Sequence, residues 1–324
     1  MTHLATPPAL TEFTAVTALT QADPIGALLA AREEEGVLAV IVGIEGPSYR
    51  PLGELMAFLP DGRRVGSLSS GCIEGDLAYH AAEVLLAGQT RKLRYGRGSP
   101  FVDIQLPCGG GLDILLIPRP DRTVLAQMAQ NRAARRVFAF TADLESGALA
   151  LAPLGETGAW NGLFRVRHLP EPRFVVFGKG PEAQAFAALT RAADYPTMLL
   201  SPDVADCGGY EVSNPDQARV LHRPEFPSDV AVDARTAVVL FFHDHDWEPP
   251  ILKGALESEA FYIGCQGSLR AHGARLLRLE ELGVAQEAAD RIHGPIGLIR
   301  STRDPRTLAV SVLAEILGAL HEPR

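Results

Sequence analysis

The feature that most constrains the fold is an apolar run that ends in a glycine turn. Residues 173–178 read RFVVFG, and Lys179, Gly180 and Pro181 come next, before an alanine-rich stretch. A short branched apolar run predicts a buried strand, and proline favours the first position of a helix. A strand, a Gly-x-Gly-x-x-Ala turn and a helix in this order are typical of the first βαβ unit of a doubly wound sheet.

The rest of the second half repeats this alternation. Apolar runs predict strands near residues 197–200, 237–242 and 261–265, and helical spacing predicts a last amphipathic helix over residues 305–320. The alternation indicates a Rossmann-like, doubly wound parallel sheet. The chain has 324 residues, which exceeds the usual size of one domain. We therefore predict two domains, residues 1–171 and 172–324, divided at the end of a glycine- and proline-rich stretch.

The glycine turn allows two interpretations. Gly178, Lys179 and Gly180 can hold a phosphate at a helix N-terminus, or the glycines only let the strand and the helix pack closely. Asp203 lies near the position where an acid meets a ribose hydroxyl in NAD sites, but it directly follows a Ser-Pro pair. The turn therefore matches the fold better than it matches NAD binding.

His243 follows the predicted strand over residues 237–242, and residues 243–246 read HDHD. Polar residues at the carboxyl end of a parallel strand lie in the ligand-binding crevice. Two histidines and two aspartates could suggest a metal site, but no third ligand follows at a recognisable spacing. We favour hydrogen-bonding or capping roles over metal binding.

The first half is organised around residues 66–76, which read GSLSSGCIEGD. Small residues let the backbone turn sharply and approach a ligand. The apolar residues that follow have helical spacing as far as Gly88, so Cys72 is predicted at the start of a helix. Unpaired N–H groups and the helix dipole there favour the thiolate form of a cysteine, and the neighbouring Glu74 opposes it. The alternative is an unreactive cysteine buried in a tight turn.

A second loop of small residues, LPCGGG at residues 106–111, contains Cys108 and is followed by a predicted strand. A third loop, at residues 46–53, contains Arg50 and lies between a buried strand at residues 37–42 and a hairpin at residues 55–68. Further segments predict a helix that Gly36 closes, a strand at residues 91–95 and a hairpin at residues 136–152. The first half is thus predicted to be an α/β domain.

Charge and cysteine usage exclude several classes of function. The net charge of −9 argues against non-specific binding to nucleic acid or anionic membranes. No apolar run approaches the ~20 residues of a membrane span, and the N-terminus does not resemble a secretory signal. Four cysteines, at positions 72, 108, 207 and 265, form no CxxC pair, so they are expected to be reduced thiols. The cytoplasm is the expected location.

Seven motifs, in this order along nearly the whole chain, resemble the XdhC/CoxI family of xanthine dehydrogenase accessory factors. They read GSLSSGCIE (66–74), CGG (108–110), GKG (178–180), HDHD (243–246), YIGCQGSLR (262–270), PIGL (295–298) and AVSVLAEI (309–316). Each motif alone is weak, but seven in sequence are specific.

The resemblance implies a cytoplasmic chaperone without turnover of its own. Such a protein binds the molybdenum cofactor, as molybdopterin or its dinucleotide form. It protects the cofactor while a cysteine desulfurase supplies the terminal sulfido ligand, and passes it to a molybdenum hydroxylase apoenzyme of the xanthine dehydrogenase/aldehyde oxidase type. The resemblance also implies an N-terminal cofactor-binding domain, a Rossmann-like C-terminal domain and a homodimer.

The family's cysteine loop maps onto residues 69–72, so Cys72 is the residue linked to cofactor binding. No catalytic and no metal-binding residue is predicted. The predicted cofactor-binding residues are Arg50, Ser69, Ser70, Gly71, Cys72, Glu74, Cys108, Gly109, Gly110, Gly178, Lys179, Gly180 and His243.

The chain departs from the family pattern at four points. Ser70 replaces a glycine of the cysteine loop, and Gly-Ala-Gly-His becomes Gly-Lys-Gly-Pro at residues 178–181. Ser201 replaces an acidic residue, and Phe242 replaces a threonine. Three of these lie in the C-terminal half and argue against NAD(P) binding. An oxidoreductase that uses NAD(P) or flavin would need a complete dinucleotide site there. A metal-dependent hydrolase, the third alternative, would rest on His243, His245 and nearby carboxylates.

Overall fold

The computed structural model describes residues 22–31, 36–100, 106–208, 217–243 and 246–321. The chain divides into two compact units, one of residues 21–170 and one that contains residues 171–324. Each unit is built on its own sheets and hydrophobic clusters.

The first unit contains a five-stranded antiparallel sheet in the order β3-β2-β1-β5-β4. Its strands are β1 (Val37–Glu45), β2 (Leu55–Phe58), β3 (Arg64–Val65), β4 (Arg91–Gly96) and β5 (Gly111–Pro118). The central strand β1 is buried over its first six residues because both faces of the sheet are covered. The predicted strand, hairpin and loop order of this region is confirmed.

Side chains of β1 alternate between the two faces, as the period of a strand requires. Helix α2 (Glu74–Ala87) covers one face and packs Leu77 and Val84 in the same cluster as Ile41. Gly88 ends this helix in the left-handed conformation, at φ 66°, as predicted. The other face packs against α1 (Pro24–Ala30), α3 (Arg122–Ala133) and a second sheet.

The second sheet is antiparallel, with the order β7-β6-β9-β8. Its strands are β6 (Phe138–Asp143), β7 (Leu149–Ala152), β8 (Gly158–Trp160) and β9 (Leu163–His168). The β6–β7 hairpin was predicted, whereas α3, β8 and β9 were missed. Strands β8 and β9 lie in the glycine- and proline-rich stretch. In β9, buried Phe164 and Val166 alternate with more exposed residues. Helix α1 ends at Ala30 and not at Gly36, because the backbone of Ala31 is extended, with ψ at 142°.

The second unit contains a six-stranded sheet in the order β12-β11-β10-β13-β14-β15, with every pair parallel. This is the strand order 3-2-1-4-5-6 of dinucleotide-binding folds. The strands are β10 (Arg173–Gly178), β11 (Thr197–Ser201), β12 (Ala218–Val220), β13 (Thr236–Phe241), β14 (Tyr262–Cys265) and β15 (Ile292–His293). The predicted Rossmann-like sheet is confirmed.

Helices cover both faces of this sheet. They are α4 (Pro181–Ala192), α5 (Glu248–Leu256), α6 (Leu269–Glu281), α7 (Gln286–Ala289) and α8 (Pro305–His321). Phe186 of α4 and Val312 of α8 pack on one face, and Ile251 of α5 and Leu279 of α6 pack on the other. Ser268 caps α6 by accepting from the Ala271 N–H, as predicted. Within the ranges that the structure describes, no helix is both long and apolar enough to cross a membrane.

Candidate functional site

Three of the predicted site loops leave one edge of the five-stranded sheet. Strands β1, β3 and β4 run in the same direction, because an antiparallel strand separates each from the next. Their carboxyl ends therefore share an edge with the start of β5, where Glu45 pairs with Gly111. The loops that carry Arg50, Cys72 and Cys108 lead from or into these strand ends.

Glu74 lies beneath the cysteine loop and determines its shape. The residue is 6% exposed, and its carboxylate points back into the loop that precedes it. It accepts hydrogen bonds from the N–H groups of Leu68 (3.0 Å), Ser69 (2.8 Å), Gly71 (2.9 Å) and Ile73 (3.2 Å) and from the hydroxyls of Ser67 (2.8 Å) and Ser69 (2.6 Å). An internal carboxylate thus satisfies most of the loop's donors.

These contacts keep Glu74 ionised. Burial alone would raise the pKa of its carboxyl, but the hydrogen bonds from Ser69 and Ser67 outweigh burial and lower the pKa from 4.5 to about 2. A group with this pKa carries a full negative charge at neutral pH. The cysteine loop therefore wraps around a permanent anion.

The loop presents Cys72 to solvent. Backbone φ angles are positive at Ser70, 61°, and Gly71, 105°, so the chain turns sharply just before the cysteine. The Ser70 N–H donates to the Ser67 hydroxyl at 3.0 Å. From Leu68 to Ile73, only the N–H of Cys72 has no hydrogen-bond partner within the described part of the chain. Its thiol is exposed, unlike the buried thiols of Cys207 and Cys265.

One expectation about this loop was wrong. The small residues were expected to leave several N–H groups free at the start of the helix, facing Cys72 and an anionic ligand. The structure shows that Glu74 takes four of them, because a carboxylate only a few residues away can fold back onto the turn. What remains for a ligand is the thiol and the N–H of Cys72.

The loop of Arg50 contacts both cysteine loops. The Arg50 guanidinium donates through Nε to the Ser67 carbonyl at 3.3 Å and through Nη1 to the Tyr49 carbonyl. Gly110 packs so closely on Pro47 that a Cβ there would overlap the Pro47 carbonyl oxygen. Arg50 therefore contacts the loop of Cys72. The loop of Cys108 contacts Pro47, which lies just after β1 and before Arg50.

Cys108 is less accessible than Cys72. Its side chain is partly buried against the cluster that includes Tyr95 and Leu112. Gly109 has a φ of 71° and donates to the Leu106 carbonyl at 2.9 Å, which closes a tight turn. Cys108 and its two glycines are therefore suited to shaping the edge of the site.

In the second unit, a carboxylate occupies the glycine turn. The Gly180 N–H donates to Oδ2 of Asp206 at 2.9 Å, and the amide of Gln184 donates to Oδ1 at 2.6 Å. The Ser201 hydroxyl also donates to Oδ2, at 2.8 Å. In dinucleotide sites, N–H groups at this turn bind phosphate. Here the carboxylate of Asp206 accepts the hydrogen bond from the Gly180 N–H instead.

The sequence analysis weighed Asp203 and did not consider Asp206. Asp203 is exposed, and its carboxylate accepts from the Ala205 N–H within a local turn. The spacing rule favoured the acid nearest the end of β11, but the chain turns three residues later, which brings Asp206 back over Ser201. The only sign of this role in the sequence was that a second acidic residue, Asp206, follows in the same turn.

His243 lies at the carboxyl end of β13, and its ring is 66% exposed. Its Nε2 atom is 3.8 Å from Oε1 of Glu182, in the first turn of α4. Asp244 and His245, the next two residues of the HDHD motif, lie outside the described residues. Within those residues, no group of three or more His, Cys, Asp or Glu side chains could hold a metal ion.

Comparison with known proteins shows to which family the chain belongs. A model described as the XdhC and CoxI family matches residues 29–96, and one described as the XdhC Rossmann domain matches residues 174–316. The molybdenum cofactor insertion chaperone PaoD of Escherichia coli (strain K12) is 35% identical over 290 residues, which cover 88% of this chain and 84% of PaoD. This chain belongs to the XdhC and CoxI family. The resemblance carried by the seven motifs is confirmed.

Two further relatives span almost the same length. A probable xanthine dehydrogenase subunit of Bacillus subtilis (strain 168) is 24% identical over 315 residues, which cover 88% of this chain and 93% of that protein. A crystal structure described as a xanthine dehydrogenase from Bacillus halodurans matches with a TM-score of 0.75 at 24% identity, covering 93% of this chain and 96% of that chain. At this identity the likeness concerns the fold, and it confirms the predicted fold class.

Proposed function

We propose that this chain is a chaperone that binds the molybdenum cofactor and inserts it into a molybdoenzyme. The observation that carries the proposal is the 35% identity, over most of both chains, to a protein named as a molybdenum cofactor insertion chaperone. The same relationship supports the view that the chain is an accessory factor rather than an enzyme. The exposed thiol of Cys72, on a loop of defined shape, is consistent with a carrier.

The donor set fits the cofactor. A soft thiol suits molybdenum and its sulfur ligands, and Cys72 combines such a thiol with an N–H that no described residue accepts from. The Nη2 atom of Arg50 has no hydrogen-bond partner among the described residues, so it can donate to an anionic ligand. We assign binding to Cys72 and Arg50, and the shape of the loops to Ser69, Glu74 and Gly110.

The finer features implied by the family remain part of the proposal. The cofactor is molybdopterin or its dinucleotide form, held by residues 1–171 while a cysteine desulfurase supplies sulfur. The recipient is a molybdenum hydroxylase of the xanthine dehydrogenase/aldehyde oxidase type, which agrees with the name of the Bacillus subtilis relative. The chain acts as a cytoplasmic homodimer, and residues 172–324 form its Rossmann-like domain.

Cofactor retention tests the proposal. The chain is purified from cells that make the cofactor, and bound pterin is measured by fluorescence after oxidation. We expect pterin in the wild-type chain, a loss of about tenfold or more in Cys72→Ala, and a smaller loss in Cys108→Ala, because a partly buried thiol acts through loop shape. Equal pterin content in the wild type and Cys72→Ala would show that Cys72 does not contribute to cofactor binding. Absence of pterin from the wild-type chain would contradict the proposal as a whole.

An oxidoreductase that uses NAD(P) or flavin is the alternative function. The carboxylate of Asp206 argues against it, because a negative charge already accepts from the Gly180 N–H that would bind a phosphate. We expect no saturable NADH binding through the glycine turn in calorimetry. Micromolar NADH binding that Lys179→Gln abolishes would favour the alternative.

A further inference from the structure

The second unit contains a cleft that the proposed function does not use. It lies beyond the carboxyl ends of β13, β14 and β15 and has a volume of about 910 Å³. This size matches clefts that bind small molecules and cofactors. Residues that follow all three strands line it, among them His243, Gln266, Ser268 and Arg300. Ligands of open α/β sheets bind at this end of the strands.

The cleft is cationic, although the chain has a net charge of −9. Arg270 and Arg300 both line it, and no carboxylate is among its described lining residues. Neither arginine makes an ion pair or a hydrogen bond within the described part of the chain. Two unpaired guanidinium groups, with the hydroxyls of Ser301 and Thr302 in the same lining, are the donor set that binds phosphate.

A buried ion pair supports one wall of the cleft. Arg275 of α6 and Glu248 of α5 are each 1% exposed in their side chains, and their atoms Nη2 and Oε1 are 3.0 Å apart. Arg275 also donates through Nη2 to the Gln266 carbonyl at 2.9 Å. The turn between β14 and α6, which places Ser268 and Arg270 in the cleft, is therefore anchored to the interior.

The remaining lining is apolar. Ile296, Ile299, Leu308 and Pro295 contribute side chains to the same cleft. Such surfaces pack well against the flat face of a ring. We propose that this cleft binds a phosphate ester that carries a flat ring, with the phosphate on Arg270 and Arg300 and the ring against the apolar lining.

This site is distinct from the glycine turn, where Asp206 occupies the Gly180 N–H. It also lies outside the cysteine loops, so the inference goes beyond the proposed function. Nucleotides and the phosphorylated pterin of the cofactor share the required chemistry. Nucleotide binding can be measured without the cofactor, so failure of this inference is distinguishable from failure of the chaperone proposal.

The test is calorimetric titration of the purified full chain. The probes are the four ribonucleoside 5′-monophosphates, the corresponding nucleosides without phosphate, and inorganic phosphate. We expect at least one monophosphate to bind with a Kd below about 1 mM, at least about tenfold more tightly than its nucleoside and than inorganic phosphate. Binding should weaken with added salt, because the arginine contacts are ionic.

Variants assign the binding to the cleft. Arg270→Gln and Arg300→Gln should each weaken monophosphate binding by about tenfold or more. The matched control is Arg278→Gln on the same helix, because Arg278 is exposed and paired with Glu281. This control should bind like the wild type, and all variants should show the wild-type melting temperature.

Three outcomes would overturn the inference. The first is that none of the monophosphates binds. The second is binding that both arginine variants retain but Lys179→Gln loses, which would assign the ligand to the glycine turn. The third is that inorganic phosphate binds as tightly as every nucleotide, which would show that the ring contributes nothing to binding.

Discussion

At the scale of single residues, Glu74 is the most consequential side chain of the first unit. Its carboxylate plays the part that a bound anion plays in many glycine loops, and it holds the backbone around Cys72. The loop shape therefore does not depend on a ligand. The site can present the same thiol in the free and the loaded protein.

Replacing this carboxylate should destabilise the first unit. In Glu74→Gln, an amide N–H₂ group replaces one acceptor oxygen and faces N–H groups that donate to it now. We expect the free energy of unfolding in urea to fall by about 2–3 kcal/mol. Glu83→Gln is the matched control, because Glu83 lies on the same helix in a partly exposed pair with Arg91, and it should lose much less stability than Glu74→Gln. Equal stability of both variants would contradict the role of Glu74.

The same residue predicts a pH dependence. The folded pKa of about 2 lies below the ordinary value of 4.5, so the unfolded chain binds the proton more readily. The stabilisation by Glu74 is complete above about pH 4.5 and is lost as the pH falls toward 2. Urea unfolding of the wild type and Glu74→Gln at several pH values should show the difference between them shrinking over this range. A constant difference down to pH 2 would count against an ionised Glu74.

Thiol reactivity should follow burial. Cys72 is exposed and Cys108 is partly buried, whereas Cys207 and Cys265 are buried. Burial also raises the pKa of the Cys265 thiol to about 12, which keeps it protonated and unreactive. Labelling with an aromatic disulfide reagent should modify Cys72 first, Cys108 more slowly and the other two only in denaturant. Peptide mapping that finds Cys265 modified before Cys72 would conflict with this order.

At the scale of elements, a bidentate ion pair joins α5 and α6. Arg275 donates through Nε to Oε2 of Glu248 at 3.1 Å and through Nη2 to Oε1 at 3.0 Å. The same guanidinium donates to the carbonyl of Gln266, so the turn after β14 depends on it. The pair links the packing of two helices to the shape of the cleft.

Breaking this pair on one side should be costly. Arg275→Met removes the guanidinium that neutralises the buried carboxylate of Glu248, so we expect a loss of about 3–5 kcal/mol in the free energy of unfolding. The double variant Glu248→Gln/Arg275→Met also removes the buried negative charge and should recover part of that loss. Urea unfolding measures both. A double variant less stable than Arg275→Met would contradict this account.

Local patterns predicted most elements but not the contacts between distant residues. The runs at β1, β10 and β13 are short, branched and apolar, so their burial could be read directly from the sequence. Strands β8 and β9 were missed because turn residues dominate their surroundings. The pairing of β9 with β6 and of β8 with β9 decides their structure.

The same limit applies to the candidate sites. The glycine turn and the cysteine loop were recognised, but not the carboxylates that occupy them. Asp206 reaches Gly180 across 26 residues, and Glu74 reaches Leu68 across a turn whose course depends on left-handed residues. Arg270 and Arg300 are brought to one cleft by the sheet order, which no local pattern contains.

At the scale of the whole molecule, the chain joins an antiparallel unit with an exposed thiol to a Rossmann-like unit whose glycine turn is already occupied. This combination suits binding and release better than turnover. Catalysis requires an acid, base or nucleophile held in a network of partners, whereas a carrier has to hold its cargo and then release it.

Reconstitution tests the central claim most directly. A molybdenum hydroxylase apoenzyme is purified from cells that lack this chain, and known amounts of the cofactor-loaded chain are added. If the chain is a chaperone that delivers its cargo, recovered activity should rise in proportion to the amount of loaded chain and stop at one cofactor per site. Cofactor-free chain, and Cys72→Ala prepared in the same way as the loaded chain, should restore little activity. Full activity and full cofactor content in hydroxylase from cells without this chain would contradict the account.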